Sequence, residues 1–301
     1  MTPIDPSLRI AGVRLAVANL PASVDFYSRV MGLQVLENDG SRAVLGAGGE
    51  PALELTALEA PVPAEPRSTG LFHVAWLHPT RATLAETVRR IGESRWPFTG
   101  ASDHAVSEAL YLDDPDGLGI EIYVDRPRET WEPGPDGDPV RMVTAPLDVE
   151  DLLAQSEGAP PAEIDAGTNI GHVHLKVSDV ARAEAFYRGL GFEHMASYPS
   201  AAFVAAGGYH HHLGLNSWQS AGGAPAGEDS PGLRLVEFEL GGREAIEAVA
   251  AAAGAEARGA EVTSAEAEGA EAAGAEAAGA EGASELSLRD PDGQLLTFRA
   301  R

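Results

Sequence analysis

The 301-residue chain has no cysteine, so metal or acid–base chemistry must come from imidazoles, carboxylates and hydroxyls. Its nine histidines are unevenly placed. The stretch Ile170-Gly171-His172-Val173-His174-Leu175-Lys176-Val177 alternates strictly, as a half-buried strand does. His172, His174 and Lys176 fall on one face, and Val173, Leu175 and Val177 on the other. Two imidazoles on one strand face are a candidate metal site. A second group, His210-His211-His212, precedes Leu213-Gly214-Leu215. Read as a strand, it puts His210 and His212 on one face and turns His211 away with Leu213.

The elements that carry these residues recur. Ser178-Asp179 supplies a helix start, Ala183, Phe186, Tyr187 and Leu190 repeat at helical spacing, and Gly191 ends the run. The same phrase opens the chain as Gly12–Leu20, Phe26-Tyr27 and Met31-Gly32-Leu33. Related units begin at Gly70 and Gly232 and close on Asp114-Pro115-Asp116-Gly117 and Asp290-Pro291-Asp292-Gly293. The chain reads as four copies of one strand-helix-strands module. The expected organisation is residues 8–126 for modules one and two, a Pro- and Gly-rich linker over 127–166, and 167–301 for modules three and four. Within the linker, Pro146–Leu153 suggests one short helix. Asp116-Gly117 and Asp292-Gly293 read as turn chemistry and nothing more. At about 255–284, glutamates recurring every five residues among alanines and glycines spiral around a helix and line no face. This reads as a solvated, largely disordered insertion.

Composition narrows the function classes. A formal charge of −25 argues against nucleic acid and anionic membrane as partners. No apolar run approaches the ~20 residues that span a bilayer, and no signal-peptide pattern opens the chain. A cytoplasmic protein is the expectation, with homo-oligomerisation left open.

The repeated βαβββ module, the Phe-Tyr phrases ahead of Leu-Gly-Phe and the Asp-Pro-Asp-Gly turns resemble the vicinal oxygen chelate superfamily. That superfamily includes glyoxalase I, the bleomycin-resistance proteins and the type I extradiol dioxygenases. Ser102–Leu112 together with Gly208–Asn216 is similar to its four-module, catechol 2,3-dioxygenase-like bacterial branch. The resemblance implies an α+β fold in which four modules pair into two open-barrel units. It also implies metal ligands on the first and last strands of paired modules. Carried over position by position, the first-strand ligand is His172 in module three and His73 in module two, against Gly12 and Leu235 in modules one and four. The last-strand carboxylate is Glu121 in module two, against Thr297 in module four.

If module two packs on module three, His73, His172 and Glu121 form a two-histidine, one-carboxylate set suited to Fe(II) or Mn(II). If modules pair in chain order, each site is incomplete. His212 is the candidate fourth ligand, as a glyoxalase-type Ni or Zn site would need. His104 and Tyr111 are candidate acid–base groups, because extradiol cleavage takes a proton from the catechol. They read equally well as a turn residue and a core tyrosine. His174 and His211 are assigned to the wall or to support. The leading function is a ring-cleaving dioxygenase taking a small aromatic substrate and O2. The alternatives are a glyoxalase-like lyase or isomerase, and a bleomycin-resistance-like module that binds a small molecule without catalysis.

Overall fold

The structure, a computed structural model, describes residues 2–260 and 285–301. Module one consists of β1 (Arg9–Val17), α1 (Leu20–Asp25, continued by a π-helical turn over Phe26–Val30), β2 (Gln34–Asn38), β3 (Arg42–Ala47) and β4 (Glu50–Ala57). Module two consists of β5 (Gly70–Leu77), α2 (Arg81–Glu93), β6 (Gly100–Asp103), β7 (Ser107–Asp113) and β8 (Gly119–Asp125). After α3 (Val149–Leu153), module three follows as β9 (Asn169–Lys176), α4 (Val180–Gly189), β10 (Glu193–Tyr198), β11 (Ala201–Ala205) and β12 (Leu213–Asn216). Module four contributes β13 (Gly232–Leu240), α5 (Arg243–Ala260), β14 (Glu285–Arg289) and β15 (Leu295–Ala300). The fold is α+β, with few helices. Of the insertion expected at 255–284, residues 255–260 continue α5, and the remainder lies outside the described residues.

The helices of modules one, two and three start where the sequence supplies a cap. The side chains of Asn19, Thr80 and Asp179 accept the backbone N–H of Ala22, Thr83 and Arg182. Gly191, at φ 102°, takes the left-handed turn that ends the α4 region. The helices lay Leu84, Val88 and Ile91, and Ala183 and Tyr187, onto the sheets.

Sheet pairing does not follow chain order. One seven-stranded sheet runs β14-β15-β13-β1-β4-β3-β2 and joins modules one and four. The eight-stranded sheet runs β10-β11-β12-β9-β5-β8-β7-β6 and joins modules two and three. Each sheet therefore draws one module from each side of the 127–166 segment.

Neighbouring modules in the chain are tied by a different device, at the Asp-Pro-Asp-Gly turns. The Tyr27 hydroxyl donates to Asp114 at 3.2 Å, and Asp116 accepts the Ala18 N–H at 2.8 Å. Tyr187 donates to Asp290 at 2.9 Å, and Asp292 accepts the Ser178 N–H at 3.1 Å. These aspartates thus do more than shape a turn, because their second oxygens reach a neighbouring module. The expected linker is also more than a spacer. It buries Val140, Leu152 and Ile164, and Arg90 reaches the carbonyls of Pro161 and Glu163.

Candidate metal centre

The centre of the eight-stranded sheet gathers three of the sequence-predicted residues. Antiparallel pairing of β5 and β9 sets Ala75 opposite His172, and parallel pairing of β5 and β8 sets Ala75 beside Glu121. Alanine leaves the space over its own Cβ open, so the imidazole and the carboxylate meet above it. His73 lies one inward position earlier on β5. Its Nε2 is 2.9 Å from Glu121 Oε2, and His172 Nε2 is 3.1 Å from the same oxygen. One ligand atom from each of His73, Glu121 and His172 lies within 4.8 Å of the others, and all three residues are buried.

The donor set fits a divalent cation on its own geometry. His73 Nε2 is buried without a hydrogen bond among the described residues, despite its closeness to the carboxylate. Its lone pair is therefore not used up in pairing with Glu121, an arrangement costly to maintain unless something else accepts it. Burial pushes the Glu121 carboxyl up, but the imidazoles of His172 and His73 outweigh that and hold it well below the usual carboxylate range. Burial lowers His172 to about 4, against the opposing pull of Glu121. At neutral pH Glu121 is therefore ionised and His172 neutral, which is the protonation a metal requires of those two groups.

His104 and Tyr111 are brought to the same region by β7 and the turn before it. Tyr111 sits across the ladder from Glu121. His104 Nδ1 lies 2.6 Å from the Val143 carbonyl, which can only accept, so Nδ1 carries the proton. His104 Nε2 is then the acceptor for the Tyr111 hydroxyl, also at 2.6 Å. Burial and the charge of Glu121 push Tyr111 well above 10, so its hydroxyl stays protonated. Both residues line a cavity of about 280 Å³, together with His73, Glu121, Phe72 and Phe203.

The histidine triplet differs from the expectation. β12 begins only at Leu213, so residues 210–212 lie in the approach to the strand, where two-residue alternation does not apply. Gly207 and Gly208, at φ 59° and 66°, bend the chain just before them. His212 is turned away from the centre. Its Nδ1 accepts the Ala206 N–H at 3.1 Å, and its ring lies 5.0 Å from that of Tyr209. His211 takes the inward place instead, with its ring 4.0 Å from that of His172, and it lines the cavity. His210 Nε2–H donates to Asp125 at 2.8 Å, leaving Nδ1 to accept the Nδ1–H of His211 at 2.7 Å. His211 Nε2 is left as an unprotonated acceptor. The doubled glycine before the triplet was the available signal for this turn.

His174 also lines the cavity, buried, with Nε2 lacking a partner among the described residues. Gly214 beside it on β12 has no Cβ because one there would stand 2.7 Å from the imidazole. A larger cavity, of about 920 Å³, lies where the connectors meet, with Pro61, Asp116, Lys176 and Arg234 in its walls. None of the candidate site residues reaches it.

A family model described as the Glyoxalase/Bleomycin resistance protein/Dioxygenase superfamily matches residues 9–122 and 169–298. The chain belongs to that superfamily. A catechol-2,3-dioxygenase of Bacillus subtilis (strain 168) is 42% identical over 256 residues, covering 83% of this chain and 89% of that protein. The fold is shared with a putative dioxygenase from the same species, at a TM-score of 0.60 and 13% identity, covering 100% of this chain and 86% of that one. Glyoxalase I from Zea mays superposes with a TM-score of 0.55 at 18% identity, covering 98% and 92% of the two chains. The superfamily match leaves out residues 123–168 between its two stretches, the region that supplies Val143 to His104. Among the described residues no helix is long and apolar enough to cross a membrane.

Proposed function

We propose that the chain is a metal-dependent extradiol dioxygenase that opens the ring of a small catechol with O2. The observation that carries this reading is the buried set of His73, His172 and Glu121. Two imidazoles and one carboxylate leave coordination positions open, as Fe(II) or Mn(II) oxygen chemistry needs. The relative named catechol-2,3-dioxygenase, at 42% identity, supports the same class. A divalent ion held there would supply the chelating centre for two vicinal ring oxygens and the electron path between the ring and O2.

The chain's own groups account for the rest. Glu121 brings the negative charge that offsets the ion. His211 Nε2 is an acceptor on the cavity wall, available for a proton from a catechol hydroxyl. The Tyr111 hydroxyl, whose one proton is held by His104, presents its oxygen to the same cavity. Ring and O2 combine without an added reductant: two C–O bonds form, while the O–O bond and one ring C–C bond break. The glyoxalase-like reading is less well supported, because His212 faces away from the position where it would have been the fourth ligand.

The test is metal per chain after dialysis, alongside O2 uptake and ring-fission absorbance with a catechol panel. The expected result is about one Fe or Mn per chain and uptake matched to ring opening. Protein reconstituted with Fe(II) or Mn(II) that retains no ion and takes up no O2 would overturn the reading.

A further inference from the structure

The walls of the 280 Å³ cavity carry a statement about substrate charge. Above the histidines they are formed by Phe72, Phe203, Tyr198 and Trp218, and by Met142 and its neighbours from the segment between modules two and three. Among the described residues no lysine or arginine lines the cavity. Arginines near it in the sequence are committed elsewhere, and Arg141, next to Met142, is paired with Glu132 at 3.1 Å. Arg81 is paired with Glu108 at 2.6 Å and Asp151 at 2.8 Å, and Arg126 with Asp103 at 2.6 Å. Lys176, the chain's one lysine, lies two residues beyond His174 but opens into the larger cavity.

We infer that this site selects electrically neutral catechols with small apolar ring substituents and rejects catechols that carry a carboxylate. The inference rests on the dioxygenase reading above. A carboxylate on the ring would lose its hydration against aromatic walls, with no lysine or arginine there to receive it. A methyl group in the same place gains from burial. The cavity lies just under the ~300–1,000 Å³ usual for small-molecule sites, which suits a single ring with short substituents. Its mouth is also built for an apolar guest. Trp218 is 46% exposed, yet its indole N–H is fixed to the Pro199 carbonyl at 2.8 Å, and its ring meets Phe72 edge-on at 5.4 Å. Thr144, exposed at the rim, is the position from which a cation could reach in.

The experiment compares catechol, 4-methylcatechol and 3,4-dihydroxybenzoate in two measurements. One is binding without O2, followed by tryptophan fluorescence. The other is kcat/KM for O2 uptake by metal-loaded protein. The methyl compound is expected to bind about 3-fold more tightly than catechol. The carboxylated one should be at least about 100-fold poorer in both measurements. Thr144→Arg should narrow that gap by about 10-fold or more. Wild-type protein that binds and turns over 3,4-dihydroxybenzoate within about 10-fold of catechol would overturn the inference. If no catechol drives O2 uptake, the dioxygenase reading fails, and the binding titration alone decides selectivity: equal affinity for neutral and carboxylated rings overturns it.

Discussion

The two sheets are made of the same module and present opposite chemistry at matching positions. In the eight-stranded sheet Tyr111 faces Glu121 across β7 and β8. In the seven-stranded sheet the matching pair across β14 and β15 is Ser287 and Thr297, whose hydroxyls meet at 2.8 Å. His174 lies beside Gly214, whereas Arg14, at the matching place, lies beside Glu54 and pairs with it at 2.6 Å. Arg42 joins the same carboxylate at 2.9 Å. His172 and His73 correspond to Gly12 and Leu235. The His172 side chain is 2% exposed and the Arg14 side chain 42%. A guanidinium satisfies a carboxylate and cannot coordinate a cation, so the seven-stranded sheet uses its carboxylates for ion pairs. Carboxylates are present in both sheets; what distinguishes them is imidazole, burial and the lack of an arginine.

That contrast is broken most severely at Glu121. Glu121→Gln keeps the shape but removes the charge, and metal affinity should fall by more than about 100-fold, with activity lost alongside. Glu54→Gln, the same change in the seven-stranded sheet, should leave metal content untouched. Metal per chain after dialysis checks both. Equal metal in the two variants would mean that Glu121 is not a ligand.

The next largest effect concerns the two Tyr–Asp seams. Burial raises Asp114 to about 6, and Asp290 is raised for the same reason. Because Asp114 binds its proton more tightly folded than unfolded, the stability this gives is present below pH ~4 and lost as pH rises through about 6. The loss amounts to about 2–3 kcal/mol. In Asp114→Asn the amide oxygen can still accept the Asp116 and Leu118 N–H groups that Asp114 holds at 2.8 and 2.9 Å. The variant should therefore gain stability relative to wild type between pH 4 and 7, read from denaturant midpoints. A constant difference across that range would show that Asp114 does not titrate there.

Much of this was readable from the residues, and the rest was hidden for identifiable reasons. Strand alternation, caps and the repeated turn phrase specify the module. Ligand positions surviving only in modules two and three pointed to their pairing, because no pairing in chain order gathers His73, Glu121 and His172. His211 was misplaced because two-residue alternation was extended into a turn bent by Gly207 and Gly208. Met142–Thr144 carries no periodicity, so nothing local marks it as a cavity wall or as the partner of His104. The seams escaped notice because an Asp-Pro-Asp-Gly turn is complete as local chemistry, and the long-range partners of its aspartates lie in another module.

His174 tests whether the support around the ligands matters as much as the ligands. It touches the cavity and packs at right angles to His73, with ring centroids 4.9 Å apart. His174→Gln should retain metal and reduce its affinity or the activity by about 10–100-fold at most. Arg14→Gln, its counterpart in the seven-stranded sheet, should change neither. Loss of metal in His174→Gln equal to that in Glu121→Gln would move His174 into the ligand set.

The smallest expected change in metal content comes from giving the seven-stranded sheet the carboxylate it lacks. Thr297→Glu places an acid at the position matching Glu121, on a strand where Thr297 is 7% exposed and lies beside Glu237. Its other neighbours are unhelpful to a cation. Leu235 and Gly12 stand where His73 and His172 would be, and Arg299 lies two residues along the same strand, already paired with Glu237. The new carboxylate would be drawn toward a guanidinium or left poorly solvated next to a like charge. The expected outcome is no additional metal per chain and a loss of about 1–3 kcal/mol in stability. Elemental analysis and a urea titration of the same preparation measure both quantities. A second equivalent of metal in Thr297→Glu would show that a buried carboxylate alone recruits the ion, and that the imidazoles contribute less to selection than the contrast between the sheets implies.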